Sequence, residues 1–205
     1  MAIKNIIFDL GGVLLNLDFE KTAGAFTALG VKDFHEYFTQ YHADPLFKKL
    51  EVGAVADQGF YDAFRKTAVI TAGNNEIDMA WNAMLLDFPP HRIEKLKELG
   101  SSYRLFLFSN TNAIHHEAFH HRFYEQFGFQ LDSLFEKAYY SHLIGYRKPG
   151  LDAFHFVIND SKVAPAETLF IDDTRPNVDA ALQVGLHAAL VSPQKDLVKV
   201  LYEIL

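Results

Sequence analysis

Residues 3–12 read IKNIIFDLGG, a short apolar run that stops at an acidic residue and a pair of glycines. An apolar run of this length, bounded by residues that favour turns, predicts a strand buried on both faces. Two further runs follow the same pattern, at 104–112 (RLFLFSNTN) and at 168–174 (TLFIDDT). Helical patterns lie between these runs, and a fourth strand is predicted at 188–191. This alternation predicts an α/β fold in which a parallel sheet is flanked by helices.

Residues 17–88 interrupt the alternation, because aromatic residues recur there at helical spacing. We expect this stretch to be helical throughout and to end at the two prolines at 89 and 90. Its aromatic side chains are expected to pack in a core, since a buried helix face requires this spacing. The predicted organisation is a core formed by residues 1–16 and 89–205, with an all-helical cap inserted at 17–88.

The composition limits the classes of function that the chain can have. The 205 residues include no cysteine, and the formal net charge is -7. This charge does not favour binding to a nucleic-acid backbone, so we expect no nucleic-acid partner. No apolar run reaches the roughly 20 residues of a membrane-spanning helix, and no signal-peptide pattern is visible, so we expect a cytoplasmic protein with no membrane partner. Without cysteine, a metal site must use oxygen or imidazole ligands.

Polar side chains follow three of the predicted strands. Asp9 follows the first strand, Ser109 and Asn110 the second, and Asp172 and Asp173 the third. Ligands of an open parallel sheet bind at the carboxyl ends of its strands, so we expect these groups to converge. Three carboxylates brought together would raise one another's pKa unless a cation neutralises them. The pattern therefore predicts a site for a hard divalent ion, and Mg²⁺ is the natural candidate.

The chain carries four motifs in a fixed order, at 8–13 (FDLGGV), 109–111 (SNT), 148–149 (KP) and 171–173 (IDD). In this order and on these strands they resemble the motifs of the haloacid dehalogenase-like (HAD) hydrolase superfamily, over essentially the whole chain. The resemblance implies a Rossmann-like core. The helical insertion after the first motif is similar to the cap of the subclass that contains small-molecule phosphatases, phosphomutases and dehalogenases. The turn after the second strand is similar to that of glucose-1-phosphatase-like members.

The resemblance implies a magnesium-dependent phosphatase that hydrolyses a small phosphorylated metabolite, such as a sugar phosphate. Asp9 would be the nucleophile that forms an aspartyl-phosphate, and Lys148 and Ser109 would complete the catalytic set. The implied phosphate-binding residues are Leu10, Gly11, Ser109, Asn110 and Lys148. The implied magnesium ligands are Asp9, the Gly11 carbonyl and Asp173, with Asp172 a direct or outer ligand and Asn177 an outer partner.

Gly11 departs from the family pattern, because most phosphatases of the superfamily have a second aspartate there as general acid and base. Loss of such a group typically costs about 10² to 10⁴ in rate. Water, a substrate hydroxyl or a cap residue such as Asp18 could replace it, and the sequence does not select among them. A phosphoryl-binding or regulatory protein with weak turnover, a phosphomutase and a dehalogenase therefore stay open as alternatives.

Residues 116–120 (HEAFH) fit the two-histidine pattern of zinc proteases. No third-ligand motif lies nearby, so we do not assign zinc catalysis. Helical spacing places His116 and His120 at the edge of an apolar stripe, and we expect His115 and His121 to face water.

Substrate specificity is expected to come from the cap, and the sequence carries no signal for an oligomeric state. Large or polar residues of the cap are the candidate contacts, namely His35, His42, Phe47, Lys48 and Trp81.

Overall fold

The computed structural model describes residues 2–192 and 195–205. The strands in this part of the chain are β1 (Asn5–Phe8), β2 (Arg104–Ser109), β3 (Lys137–Tyr140), β4 (Thr168–Asp172) and β5 (His187–Leu190). They form one parallel sheet in the order β3-β2-β1-β4-β5. From β1 the chain first adds β2 and β3 on one side, and it then adds β4 and β5 on the other side of β1. The order reverses at β1, and a crevice for ligands is expected at that point.

Helices connect and cover the strands. They are α1 (Phe19–Ala28), α2 (Pro45–Glu51), α3 (Asp57–Ala68), α4 (Asn74–Asn82), α5 (Pro90–Leu99), α6 (Ala113–Phe127), α7 (Ser141–Ile144), α8 (Leu151–Ser161), α9 (Arg175–Gln183) and α10 (Leu197–Ile204). None of the helices in the described residues is both long and apolar enough to span a bilayer.

Both faces of the sheet are buried. Ile6 and Phe8 of β1 belong to one apolar cluster, which also contains buried residues of α5, α6 and α10. Ile7 points to the opposite face and packs in a second cluster with residues of α8 and α9. Successive side chains of a strand point to opposite faces, so a strand covered on both sides must be apolar at every position. This explains the uninterrupted apolar runs of the sequence and confirms the predicted fold class.

The sequence predicted four of the strands and missed β3. The predicted strands at 3–8, 104–108, 168–171 and 188–191 each overlap an observed one with ends shifted by one or two residues. β3 begins with the exposed Lys137, and only its last two residues are buried. An edge strand with so short an apolar run gives no pattern that can be distinguished from a loop.

The helical segment, by which we mean residues 17–88, contains α1 to α4 and lies between β1 and α5. Its aromatic side chains do form a core, in which Phe26, Phe34 and Trp81 are almost fully buried. The prediction of a segment that is helical throughout is wrong, because residues 37–44 form an irregular loop. Asp44 explains part of the difference, since its side chain accepts from the N–H of Leu46 and starts a new helix there.

Candidate active site

Asp9, Ser109 and Asp172 meet at one edge of the sheet. Asp9 comes directly after the central strand β1, and its N–H donates to the Ile171 carbonyl at 2.8 Å. Ser109 is the last residue of β2 and Asp172 is the last residue of β4. These two strands flank β1 in parallel register, so their carboxyl ends bring the three side chains together.

Lys148 joins two carboxylates of this edge, although it lies in a loop far away in the sequence. Its Nζ is 2.8 Å from Oδ1 of Asp9 and 2.7 Å from Oδ2 of Asp172, and only 1% of its side chain is exposed. Asn110 fixes the loop, because its side chain donates to the Lys148 carbonyl and accepts from the Lys148 N–H, both at 2.8 Å. The buried ammonium group is therefore held at a defined position beside Asp9.

Asp173 brings a third carboxylate to the same place. One oxygen from each of Asp9, Asp172 and Asp173 lies within 4.8 Å of the other two. Gly12 permits this approach, since its φ is +71° and a Cβ there would lie 2.1 Å from Oδ2 of Asp173. A larger residue at position 12 would displace the Asp173 carboxylate.

Burial and neighbouring carboxylates shift the pKa of Asp9 and of Asp173. Burial raises the pKa of Asp9 to about 8, and Asp172 and Asp173 add to the shift while the Lys148 ammonium opposes it. Burial, followed by Asp172, raises the pKa of Asp173 to about 6. Three ionised carboxylates and one ammonium group leave two excess negative charges, which a divalent cation would neutralise.

The spacing of these carboxylates is compatible with Mg²⁺, and their hydrogen bonding differs: the oxygens of Asp173 each accept one hydrogen bond, from Gln40 and from the Thr174 hydroxyl. Mg²⁺ holds oxygen at about 2.0–2.1 Å, so ligands on opposite sides of the ion lie about 4 Å apart, and the three carboxylate oxygens all lie within 4.8 Å of one another. Both oxygens of Asp172 already accept hydrogen bonds, from Lys148, Asn177 and the Thr174 N–H. Among the described residues only Lys148 donates to Asp9, and it does so at Oδ1. Asp9 is therefore better placed than Asp172 to bind a cation directly.

A cavity of about 350 Å³ opens over these side chains. The residues that line it on the side of the sheet include Asp9, Leu10, Gly11, Ser109, Asn110, Lys148, Asp173 and Asn177. Those that line it from the helical segment include Thr39, Gln40, His42, Lys48, Glu51 and Trp81. Gln40 reaches across, and its amide donates to Oδ2 of Asp173 at 2.9 Å. The helical segment thus forms the wall that faces the carboxylates.

Of the residues that the sequence suggested for specificity, His42, Lys48 and Trp81 line the cavity and two others do not. His35 contacts Glu20 through Nε2 at 3.0 Å. Phe47 is fully buried among the aromatic rings of the helical segment.

Sequence reasoning missed Gln40 and Glu51. Gln40 lies in the loop at 37–44, where a helix was expected, so its position could not be derived from periodicity. Glu51 follows the buried Phe47 by four residues on α2, and this spacing places both on one helix face. That spacing is a signal that could have identified Glu51 as a buried carboxylate.

The space beside Gly11 is occupied by an apolar side chain. A Cβ at this position would lie 2.7 Å from Cδ1 of Leu17. Asp18, a candidate to replace the missing acid, is the N-cap of α1 and accepts from the N–H groups of Glu20 and Lys21 at 3.1 and 3.3 Å. It does not line the cavity that holds Asp9.

The prediction that His115 faces water is wrong. Its ring stacks on Trp81 at 4.4 Å between centroids, and burial lowers its pKa to about 4. The spacing of apolar residues in α6 predicts one buried face, whereas α4 covers a second face, on which His115 lies. His121 is exposed as predicted. Within the described residues, His116 and His120 belong to no group of three side chains close enough to share a metal ion.

Comparisons with known proteins agree with this geometry. A family model described as haloacid dehalogenase-like hydrolase matches residues 3–185. A D-ribitol-5-phosphate phosphatase from Bacteroides thetaiotaomicron is 33% identical over 187 residues, which is 89% of this chain and 89% of the relative.

Two solved structures are similar over nearly the whole chain. One is a mutant HAD family enzyme from Bacteroides thetaiotaomicron in complex with magnesium and inorganic phosphate, with a TM-score of 0.91, 32% identity, and coverage of 95% of this chain and 96% of the other. The second is described as a predicted HAD-like family hydrolase from Porphyromonas gingivalis, with a TM-score of 0.90, 33% identity, and coverage of 99% and 98%. The similarity includes the helical segment as well as the sheet.

Proposed function

Because the chain belongs to the haloacid dehalogenase-like hydrolase family, we propose that it is a magnesium-dependent phosphatase of a small phosphorylated sugar or polyol. The observation that carries this function is the buried contact of Lys148 with Asp9, close to the Asp173 carboxylate. The relative that is 33% identical is a D-ribitol-5-phosphate phosphatase. Ribitol 5-phosphate is therefore the first substrate to test.

Asp9 is the nucleophile of the proposed reaction. Its carboxylate attacks phosphorus, the bond between phosphorus and the ester oxygen breaks, and the product alcohol leaves. Water then attacks the phosphorus of the aspartyl-phosphate, which releases phosphate and restores the carboxylate. Lys148 donates to Oδ1 of Asp9, which favours the ionised form, and its charge stabilises the transferring group.

Ser109, Asn110 and the backbone of residues 10–11 are the proposed phosphate-binding groups. Asp9, the Gly11 carbonyl and Asp173 are the proposed direct ligands of Mg²⁺, and Asp172 supports the site by holding Lys148. When bound, Mg²⁺ would stabilise negative charge on the phosphoryl oxygens.

The leaving oxygen requires a proton, and Gly11 cannot supply one. Asp18 uses its carboxylate to cap α1. We propose that water or a hydroxyl group of the substrate donates this proton, which predicts slower turnover than that of relatives with an acid at this position.

The helical segment at 17–88 acts as a cap in this proposal, over a core of 1–16 and 89–205. Its two ends lie side by side, since the N–H of Asp18 donates to the Met84 carbonyl at 2.9 Å and the N–H of Asn16, just before the segment, donates to the Asp87 carbonyl at 3.0 Å. Gln40, on the opposite wall of the cavity from the sheet, already contacts Asp173. These contacts support a cap that closes over the site.

We also place the enzyme in the cytoplasm. A phosphate monoester carries about 1.5 to 2 negative charges near pH 7, and ions cross bilayers at a high energetic cost. A phosphorylated metabolite made in the cytoplasm therefore stays there, and an enzyme that acts on it works in the same compartment.

The test is release of phosphate from ribitol 5-phosphate and a panel of sugar phosphates, nucleotides and an aryl phosphate. With Mg²⁺ present we expect hydrolysis of at least one polyol or sugar phosphate. A chelator should reduce the rate to background, because the excess negative charge of the carboxylates is then unbalanced, and added Mg²⁺ should restore it. Activity that survives chelation would contradict the proposal. Tight binding of phosphate esters without turnover would instead favour the regulatory alternative.

A further inference from the structure

An ion pair that the proposed chemistry does not use joins the helical segment to the core at the wall of the cavity. Glu51 is the last residue of α2, and Arg147 directly precedes Lys148. Oε2 of Glu51 lies 2.8 Å from Nε of Arg147, and the exposed fractions of the two side chains are 8% and 29%. Burial raises the pKa of Glu51, and the Arg147 guanidinium opposes the shift. Both residues line the cavity that holds Asp9.

Polar atoms of this wall lack hydrogen-bond partners. The contact between Oε2 of Glu51 and Nε of Arg147 is an ion pair without ideal hydrogen-bond geometry, and no other group of the described residues hydrogen-bonds to either side chain. Buried polar groups nearly always have hydrogen-bond partners, and exceptions require an explanation. Because the carboxylate and the guanidinium both belong to residues that line the cavity, their remaining acceptor and donor atoms are available to a polar molecule there.

The pair is fixed in position by its surroundings. Arg147 is adjacent to Lys148, whose backbone is held by Asn110. Beyond α2, Gly53 has a φ of +66°, and a Cβ there would lie 2.3 Å from the His142 carbonyl oxygen, so the turn packs directly on the core. A site with fixed donors and acceptors loses little entropy when it binds a ligand.

The chemistry of the pair indicates what it binds. A carboxylate and a guanidinium together carry no net charge, so they offer no excess positive charge to a second phosphate group. They offer strong acceptors and donors, which suit hydroxyl groups. We propose that Glu51 and Arg147 bind the hydroxyl groups of the substrate and select a polyhydroxylated phosphate ester over one without hydroxyls. This inference rests on the proposed phosphatase function.

The experiment compares two substrates with the same five-carbon chain, ribitol 5-phosphate and n-pentyl phosphate, which lacks the hydroxyls. The main variant replaces the pair by apolar residues, Glu51→Met with Arg147→Met, because such a replacement of a buried ion pair is often neutral for stability. The ratio of kcat/KM for ribitol 5-phosphate to that for n-pentyl phosphate should fall about 10- to 100-fold, with the loss mainly in KM.

Controls separate a binding role from a structural role. Glu136→Gln breaks an exposed ion pair with Arg104 and should leave the ratio unchanged. If the double variant does not fold, Glu51→Gln keeps the size of the side chain and should lower the ratio about tenfold. An unchanged ratio in a folded variant would overturn the inference and leave the phosphatase function intact. If wild-type protein prefers another polyhydroxylated ester of the panel, that ester replaces ribitol 5-phosphate in the ratio, and hydrolysis of no member of the panel would contradict the phosphatase function itself.

Discussion

Replacement of Asp9 by asparagine is expected to reduce turnover at least about 10⁴-fold, because an amide oxygen does not form the aspartyl-phosphate. The variant should fold normally. Burial and two neighbouring carboxylates disfavour the ionised form of Asp9. Replacing its carboxyl group by an amide therefore removes an unfavourable negative charge from the buried site. We expect the metal-free variant to be at least as resistant to urea as wild-type protein.

Steady-state phosphate release under saturating Mg²⁺ measures this effect. Asp160→Asn is the matched control, since Asp160 lies outside the cavity and contacts Lys137 and Tyr139. It should keep wild-type turnover. A folded Asp9→Asn protein with more than a few per cent of wild-type activity would mean that a different group attacks the substrate.

Replacement of Lys148 by methionine is expected to affect both activity and stability. Lys148 is buried and contacts Asp9 and Asp172 at 2.8 and 2.7 Å. Its loss leaves buried carboxylates without a counter-charge, which typically costs about 3–5 kcal/mol in the free energy of unfolding. It also removes a positive group from the transferring phosphoryl, so kcat should fall about 10²- to 10³-fold.

Urea unfolding and steady-state kinetics together measure these effects. Mg²⁺ should recover part of the lost stability, because it supplies positive charge to the same carboxylates. Lys137→Met is the control, since it breaks an exposed pair with Asp160 and should cost no more than about 1 kcal/mol. Wild-type activity in Lys148→Met would show that the contacts of Lys148 with the carboxylates do not contribute to catalysis. Wild-type stability would show that they do not contribute to the free energy of unfolding.

The sheet and its polar edge could be predicted because their signals are local. β1, β2 and β4 each contain an uninterrupted apolar run of three or four residues and end at or beside a polar residue, so both the strand and the placement of Asp9, Ser109 and Asp172 follow from short stretches of sequence. Lys148 gave a weaker signal, because the proline at 149 predicts only an extended residue in a turn. Its place in chain order between Ser109 and Asp172 made it a candidate, and the family resemblance implied its role.

The features that were missed depend on packing between distant elements. β3 has only two buried residues and becomes a strand by pairing with β2. His115 is buried because α4 covers the start of α6. The spacing of apolar residues in α6 does not indicate that contact. Glu51 and Arg147 are 96 residues apart in the sequence, so no pattern in a short stretch of sequence could indicate that they form a pair.

In the proposed reaction, Asp9 receives a phosphoryl group beside a cation held by Asp9 and Asp173. Beryllium fluoride mimics a phosphoryl group on a carboxylate, so a crystal structure of the protein with Mg²⁺ and beryllium fluoride would show this arrangement. We expect beryllium bonded to the Asp9 carboxylate, Mg²⁺ about 2.0–2.1 Å from oxygens of Asp9 and Asp173, and Lys148 Nζ in contact with fluoride. Beryllium fluoride bonded to another residue, or Mg²⁺ bound away from these two carboxylates, would mean that the phosphoryl group is not transferred to Asp9 at this site.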